Sequence, residues 1–164
     1  MDDEREQCEI LKRYLKRYFY AKKRKEQLES RLEVFKNDII GVKGLQYSDM
    51  PKSSTNINKN EPEAAVLKQD EIKEQIDRQR KRMLEVMMEI TEVTEILPFD
   101  AMERAIIEYR HIDCLSWKEV CEKMNLSRTP CTKYYRKGIE KLVKDQRVKT
   151  ILEKYIQKIQ KRGN

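Results

Sequence analysis

Residues that break or stiffen a chain are scarce in this sequence, which has four glycines and four prolines among 164 residues. That shortage disfavours a β-rich fold built on tight turns, and equally a Pro/Gly-rich disordered chain. Histidine and tryptophan occur once each. With one histidine, His111, next to Asp113 and Cys114, there is no clear nucleophile, base and orienting third group, and a structural role is expected. Neither Gly41 nor Gly44 is followed by the Lys-Ser/Thr of a phosphate loop, and HExxH and acidic metal clusters are missing, so no enzyme and no cofactor are expected. The four cysteines, Cys8, Cys114, Cys121 and Cys131, form no CxxC pair. They read as reduced thiols of a cytoplasmic protein. Joining His111 to Cys114, Cys121 and Cys131 gives no familiar zinc spacing, so no metal is expected. No apolar run reaches the roughly 18 residues of a membrane span, and Met1 to Glu9 is too acidic for a secretory signal.

Charge is what the chain has in abundance: 40% of residues are charged against 38% hydrophobic. Glu and Lys at helix-compatible spacing point to long solvent-washed helices, not to one large core. The net charge of +7 is localised, since residues 1–99 hold 20 basic and 20 acidic side chains while residues 100–164 hold 16 and 9. From Arg128 onward the ratio is 12 to 3. A neutral segment beside a basic one is the electrostatic footprint of protein contact next to nucleic-acid contact.

The pattern predicts an all-α chain in three parts. Residues 1–97 form a long antiparallel helical hairpin, with helices over about 4–40 and 61–97 and a loop over 41–60. In the first helix Leu11, Leu15, Tyr18, Leu32, Phe35 and Ile39 make an apolar stripe whose centre is weakened by Lys22 and Lys25; Gly41 and Gly44 end it. In the loop, Leu45, Tyr47 and Met50 are placed to pack back on the helices. In the second helix Ala65, Ile72, Ile76, Met83, Val86, Ile90, Val93 and Leu97 alternate at three- and four-residue steps, interrupted by Gln69 and Gln79. A two-helix hairpin buries little, which favours contact with a second copy or another protein. Residues 98–147 break into short helices, and residues 148–164 hold Val148, Ile151, Leu152, Tyr155, Ile156 and Ile159 at helical spacing. That last helix either packs on the preceding domain or serves dimerisation or polymerase contact.

Within 98–147, Ser116 with Glu119 makes a capping box before Trp117 to Met124. Asn125 and Leu126 form a turn, and Ser127 is placed to cap a helix whose first turn tolerates Pro130. Such a helix-turn-helix needs a small buried set: Trp117, Val120, Cys121, Leu126, Cys131, Ile139 and Leu142. The opposite face presents Arg128, Thr129, Thr132, Lys133 and Arg136 to a major groove about 12 Å wide, with Lys137 and Lys141 near phosphates.

The run MERAIIEYRHIDCLSWKEVCEKMNLSRTPCTKYYRKGIEKL, residues 102–142, closely resembles region 4 of sigma factors, which reads the −35 promoter element. The turn, cap and core positions agree together over these 41 residues. The layout, with YSDMPKSS at Tyr47 to Ser54, is similar to phage regulators of late transcription of the RinA/ArpU-like group. That resemblance implies a sequence-specific regulator of phage or prophage late genes, acting in the cytoplasm of a bacterial host on double-stranded DNA with RNA polymerase. Pro130 and Thr132 replace positions that are often charged in sigma region 4, which puts a shared base preference in doubt. No counterpart of sigma region 2 is visible, so a complete sigma factor is not implied. A small terminase subunit marking viral DNA for packaging, and a protein-interaction factor that does not touch DNA, are the alternative functions.

Overall fold

The computed structural model describes residues 2–44 and 61–161. These form seven helices, α1 (Asp2–Leu15), α2 (Arg17–Gly44), α3 (Glu61–Thr94), α4 (Met102–His111), α5 (Trp117–Met124), α6 (Arg128–Lys144) and α7 (Gln146–Gln160), with no strand among the described residues. The all-α class follows from the composition. No described helix is long and apolar enough to cross a membrane.

Local differences from the expected elements have identifiable causes. The first long helix is interrupted at Lys16, although Lys16 N–Lys12 O at 3.2 Å and Tyr20 N–Lys16 O at 3.3 Å carry the backbone ladder across it. Gly41 does not stop the helix, since α2 runs to Gly44. The Ile39 side chain and residues 45–60, including Leu45, Tyr47 and Met50, lie outside the described residues. At the end of α3 the ladder tightens to three-residue bonds, Ile96 N–Val93 O at 3.4 Å and Leu97 N–Thr94 O at 3.0 Å. The helix therefore stops short of Leu97, ahead of Pro98, whose ring disfavours helical geometry in the residue before it.

Two compact units divide the chain, one of Met1–Ala21 with Met83–Asn164 and one of Lys22–Arg82. The sequence reading instead divides at 97 and 147. The difference arises because α1 and α7 share one core with the central helices. Leu11, Tyr14 and Leu15 of α1, Ile90 and Val93 of α3, Ile106 and Ile107 of α4, Val120 of α5, Ile139 and Leu142 of α6, and Val148 and Leu152 of α7 are buried in a single cluster. Packing of α7 on this unit is thus the arrangement present, with Tyr155 edge-on to Tyr14 at 5.2 Å and only Ile159 of its apolar residues left exposed. The Arg17 guanidinium lies 3.9 Å from the Tyr14 ring centre and also pairs with Glu89, so three elements meet at one cation.

Among the described residues of the other unit little is buried: Leu28 and Ile76 are, while Leu32, Phe35, Ala65, Ile72 and the two seam lysines are half-covered. Glu29 pairs with Lys25 at 3.2 Å and accepts from Arg80 at 3.2 Å.

The crossing of α4 and α6 depends on Gly138. A Cβ there would lie 2.7 Å from Ile107 Cδ1 and 3.0 Å from Glu103 Cβ. Glycine inside a helix is unfavourable by roughly 1 kcal/mol relative to alanine. Here that loss permits a close approach, since any Cβ would force the Ile107 and Glu103 side chains to shift.

Candidate nucleic-acid interface

The site is built by α5, a short turn and α6. Ser116 caps α5 reciprocally: its hydroxyl accepts from Glu119 N at 3.3 Å, and its own N–H donates to the Glu119 carboxylate at 2.7 Å. These hydrogen bonds hold the Glu119 carboxyl below its ordinary range. Asn125 closes the helix in the left-handed region, with φ of 52°, a conformation asparagine tolerates better than most residues. Ser127 stands at the N-cap of α6, but its side chain makes no capping hydrogen bond. The expectation that it caps α6 is therefore corrected, although the helix still starts at Arg128 and runs to Lys144.

All seven expected core residues face inward, to different depths. Val120, Cys131, Ile139 and Leu142 are fully buried, whereas Trp117, Cys121 and Leu126 are half-buried against the same cluster. Burial, and then a hydrogen bond with Cys121, push the Cys131 thiol up to about 11, so it stays neutral.

Beneath the first turns of α6 lies an aromatic stack that the sequence reading did not anticipate. Tyr135 is buried between His111 and Trp117: its hydroxyl is 2.9 Å from His111 Nε2, its ring stacks on the imidazole at 5.8 Å, and the indole meets it edge-on at 5.1 Å and 88°. Burial, reinforced by Arg110 and Lys16, depresses the His111 pKa to about 3, which keeps the ring neutral at physiological pH. Burial also lifts the Tyr135 phenol to about 12. Cys114 turns its thiol toward the carbonyls of Ile112 and His111, at 3.7 and 3.9 Å. Among the described residues no three His, Cys, Asp or Glu side chains are arranged to hold a metal ion.

The expected outward face of α6 is assembled as one surface. Arg128, Thr129, Thr132, Lys133, Arg136 and Lys137, with Glu140, line a common shallow groove. Arg128, Thr129, Lys133, Arg136, Lys137 and Lys141 are exposed and Thr132 is half-exposed. The Thr132 hydroxyl donates to Arg128 O at 2.9 Å, so its donor is used within the helix.

The cations on this face fall into two sets. Arg128, Lys133 and Arg136 have no ion-pair partner among the described residues. Lys137 and Lys141 instead converge on Glu103 of α4, at 3.7 and 2.8 Å, and Lys144 reaches Glu4 of α1 at 3.1 Å. Glu103 is only 6% exposed. The hydrogen bond from Lys141 outweighs its burial and keeps the carboxyl ionised, below the usual range. Sequence reasoning missed Glu103, for which no local signal exists, and Gly138, whose place inside a helix was a signal that could have been used.

No family model, no curated protein and no solved structure matches this chain.

Proposed function

We propose that the chain is a sequence-specific, duplex-DNA-binding transcriptional regulator whose α5–turn–α6 unit is a helix-turn-helix of the sigma region 4 kind. One observation carries this reading. Arg128, Lys133 and Arg136 stand exposed on one face of α6, alongside Thr129 and Thr132, with no ion-pair partner among the described residues. The opposite face, through Cys131, Tyr135, Ile139 and Leu142, is buried. A helix held by one side and cationic on the other meets the demands of a major groove. Phosphates can approach such cations without an internal ion pair among the described residues having to break first. Residues toward the N-terminus of α6 read base edges, and later lysines grip the backbone. The resemblance of residues 102–142 to sigma region 4 makes an upstream promoter element of phage or prophage late genes the target, read together with host RNA polymerase. The Lys22–Arg82 unit, as a helical hairpin with a thin core, supplies the protein contact, to polymerase or to a second copy.

An electrophoretic shift of duplex DNA tests the reading. The wild-type chain retards duplex with an affinity that falls steeply as salt rises. Substituting Arg128→Ala together with Lys133→Ala lowers that affinity by about 1–3 kcal/mol for each base-reading side chain. A shift unchanged by the double substitution overturns the proposal.

A further inference from the structure

Arg128 does not extend freely into solvent. Its guanidinium carbon lies 4.4 Å from the centre of the Trp117 ring, a half-buried indole that packs at right angles to the Tyr135 ring. Tyr135 is in turn held by His111. The Arg110 guanidinium approaches the same indole at 5.5 Å while donating to Leu115 O at 2.6 Å, which ties it to the backbone; of the two cations Arg128 is the exposed one. A shallow groove lined by Asn125, Ser127 and Arg128 itself opens beside the indole.

Arginine has substantial rotamer entropy to lose on fixing its side chain, and its planar fork stacks on aromatic faces in a way the lysine ammonium does not. A guanidinium lying on an anchored indole has given up part of that freedom before any ligand arrives. We propose that Trp117 is a positioning residue: it presents the Arg128 fork to a single guanine, whose O6 and N7 are the acceptor pair a bidentate arginine matches in the major groove. The inference rests on the reading of α6 as a duplex-binding helix and adds which base Arg128 takes and what fixes its aim.

The test is selection of bound sequences from a random duplex pool with the wild-type chain, Trp117→Phe, Arg128→Lys and the double variant, followed by titration of the best site and its single-base changes. The expected result is one G·C position whose discrimination falls roughly tenfold in Arg128→Lys and about threefold in Trp117→Phe. Adding Trp117→Phe to Arg128→Lys produces no further loss, whereas a merely structural tryptophan would weaken binding to every sequence in both backgrounds. Because Trp117 is the only tryptophan, emission of the free protein supplies an independent reading. Arg128→Lys shifts that emission and opens the indole to an aqueous quencher. Discrimination in Trp117→Phe equal to wild type, or emission indifferent to Arg128→Lys, overturns the inference even though duplex binding persists. A wild-type pool with no enriched sequence removes base reading itself, and the inference falls with it.

Discussion

The two halves of α6 carry similar charge and are tied to the fold in different ways. In the N-terminal half the cations Arg128, Lys133 and Arg136 lack acidic partners among the described residues, and the helix is anchored from below by Tyr135 and Cys131. In the C-terminal half Lys137 and Lys141 share the buried Glu103, Lys144 takes Glu4, and Gly138 lets α4 press close. Cations without an ion-pair partner can meet a ligand at little reorganisation. Cations already paired must exchange one anion for another, so they contribute less to affinity and more to holding α4 and α1 against α6.

Acid should break the seat of the first half. The folded-state pKa of His111, about 3, lies below its ordinary 6.5, so the unfolded chain binds the extra proton between those values. Stability is therefore complete above about pH 6.5 and is lost as pH falls toward 3. Between pH 6.5 and 4.5, before most carboxylates titrate, the loss should reach about 2–3 kcal/mol, at about 1.4 kcal/mol per pH unit. Chemical denaturation across that window checks the slope, and His111→Gln should flatten it.

Gly138→Val attacks the second half. With Ile107 Cδ1 only 2.7 Å from the added Cβ, overpacking should lower stability by about 1–3 kcal/mol. Duplex binding at a temperature where the variant is folded should fall less than stability does, and thermal melting alongside titration measures both.

The two serine positions sharpen the comparison between the helices leading into the face. Ser116→Ala removes a reciprocal cap and should lower stability by about 1 kcal/mol. Ser127→Ala removes a side chain that makes no cap hydrogen bond and should leave melting nearly unchanged. A modest change in binding is expected from Glu103→Gln. Releasing Lys137 and Lys141 from their shared carboxylate should raise affinity for non-specific duplex a few-fold and steepen its salt dependence by about one counterion.

Much of the fold could be read from residue order. The stripe from Ile76 to Leu97 is covered as its spacing requires, and the capping box at Ser116 and Glu119 forms as written. Local rules of period and capping govern such features, so one sequence suffices. The outward position of Arg128, Lys133 and Arg136 follows from the same period, because a buried Cys131, Tyr135 and Ile139 leave them no other side. What escaped was long-range. Nothing near Glu103 announces that Lys137 and Lys141 will close on it from another helix, and nothing near Leu11 and Tyr14 announces that α1 will share a core with Val148 and Leu152. One trace was present: Lys22 and Lys25 weaken the apolar stripe next to the point where the compact units divide.

The most direct measurement is titration of a fluorescent duplex, followed by anisotropy, with two variants that remove the same charge from the same helix. One is Arg128→Ala/Lys133→Ala/Arg136→Ala and the other Lys137→Ala/Lys141→Ala/Lys144→Ala. The first should lose about a hundredfold or more in affinity, as expected for three contacts worth 1–3 kcal/mol each, and the second no more than about tenfold. Equal losses in the two, or a greater loss in the second, would contradict the assignment of the free face of α6 as the surface that meets DNA.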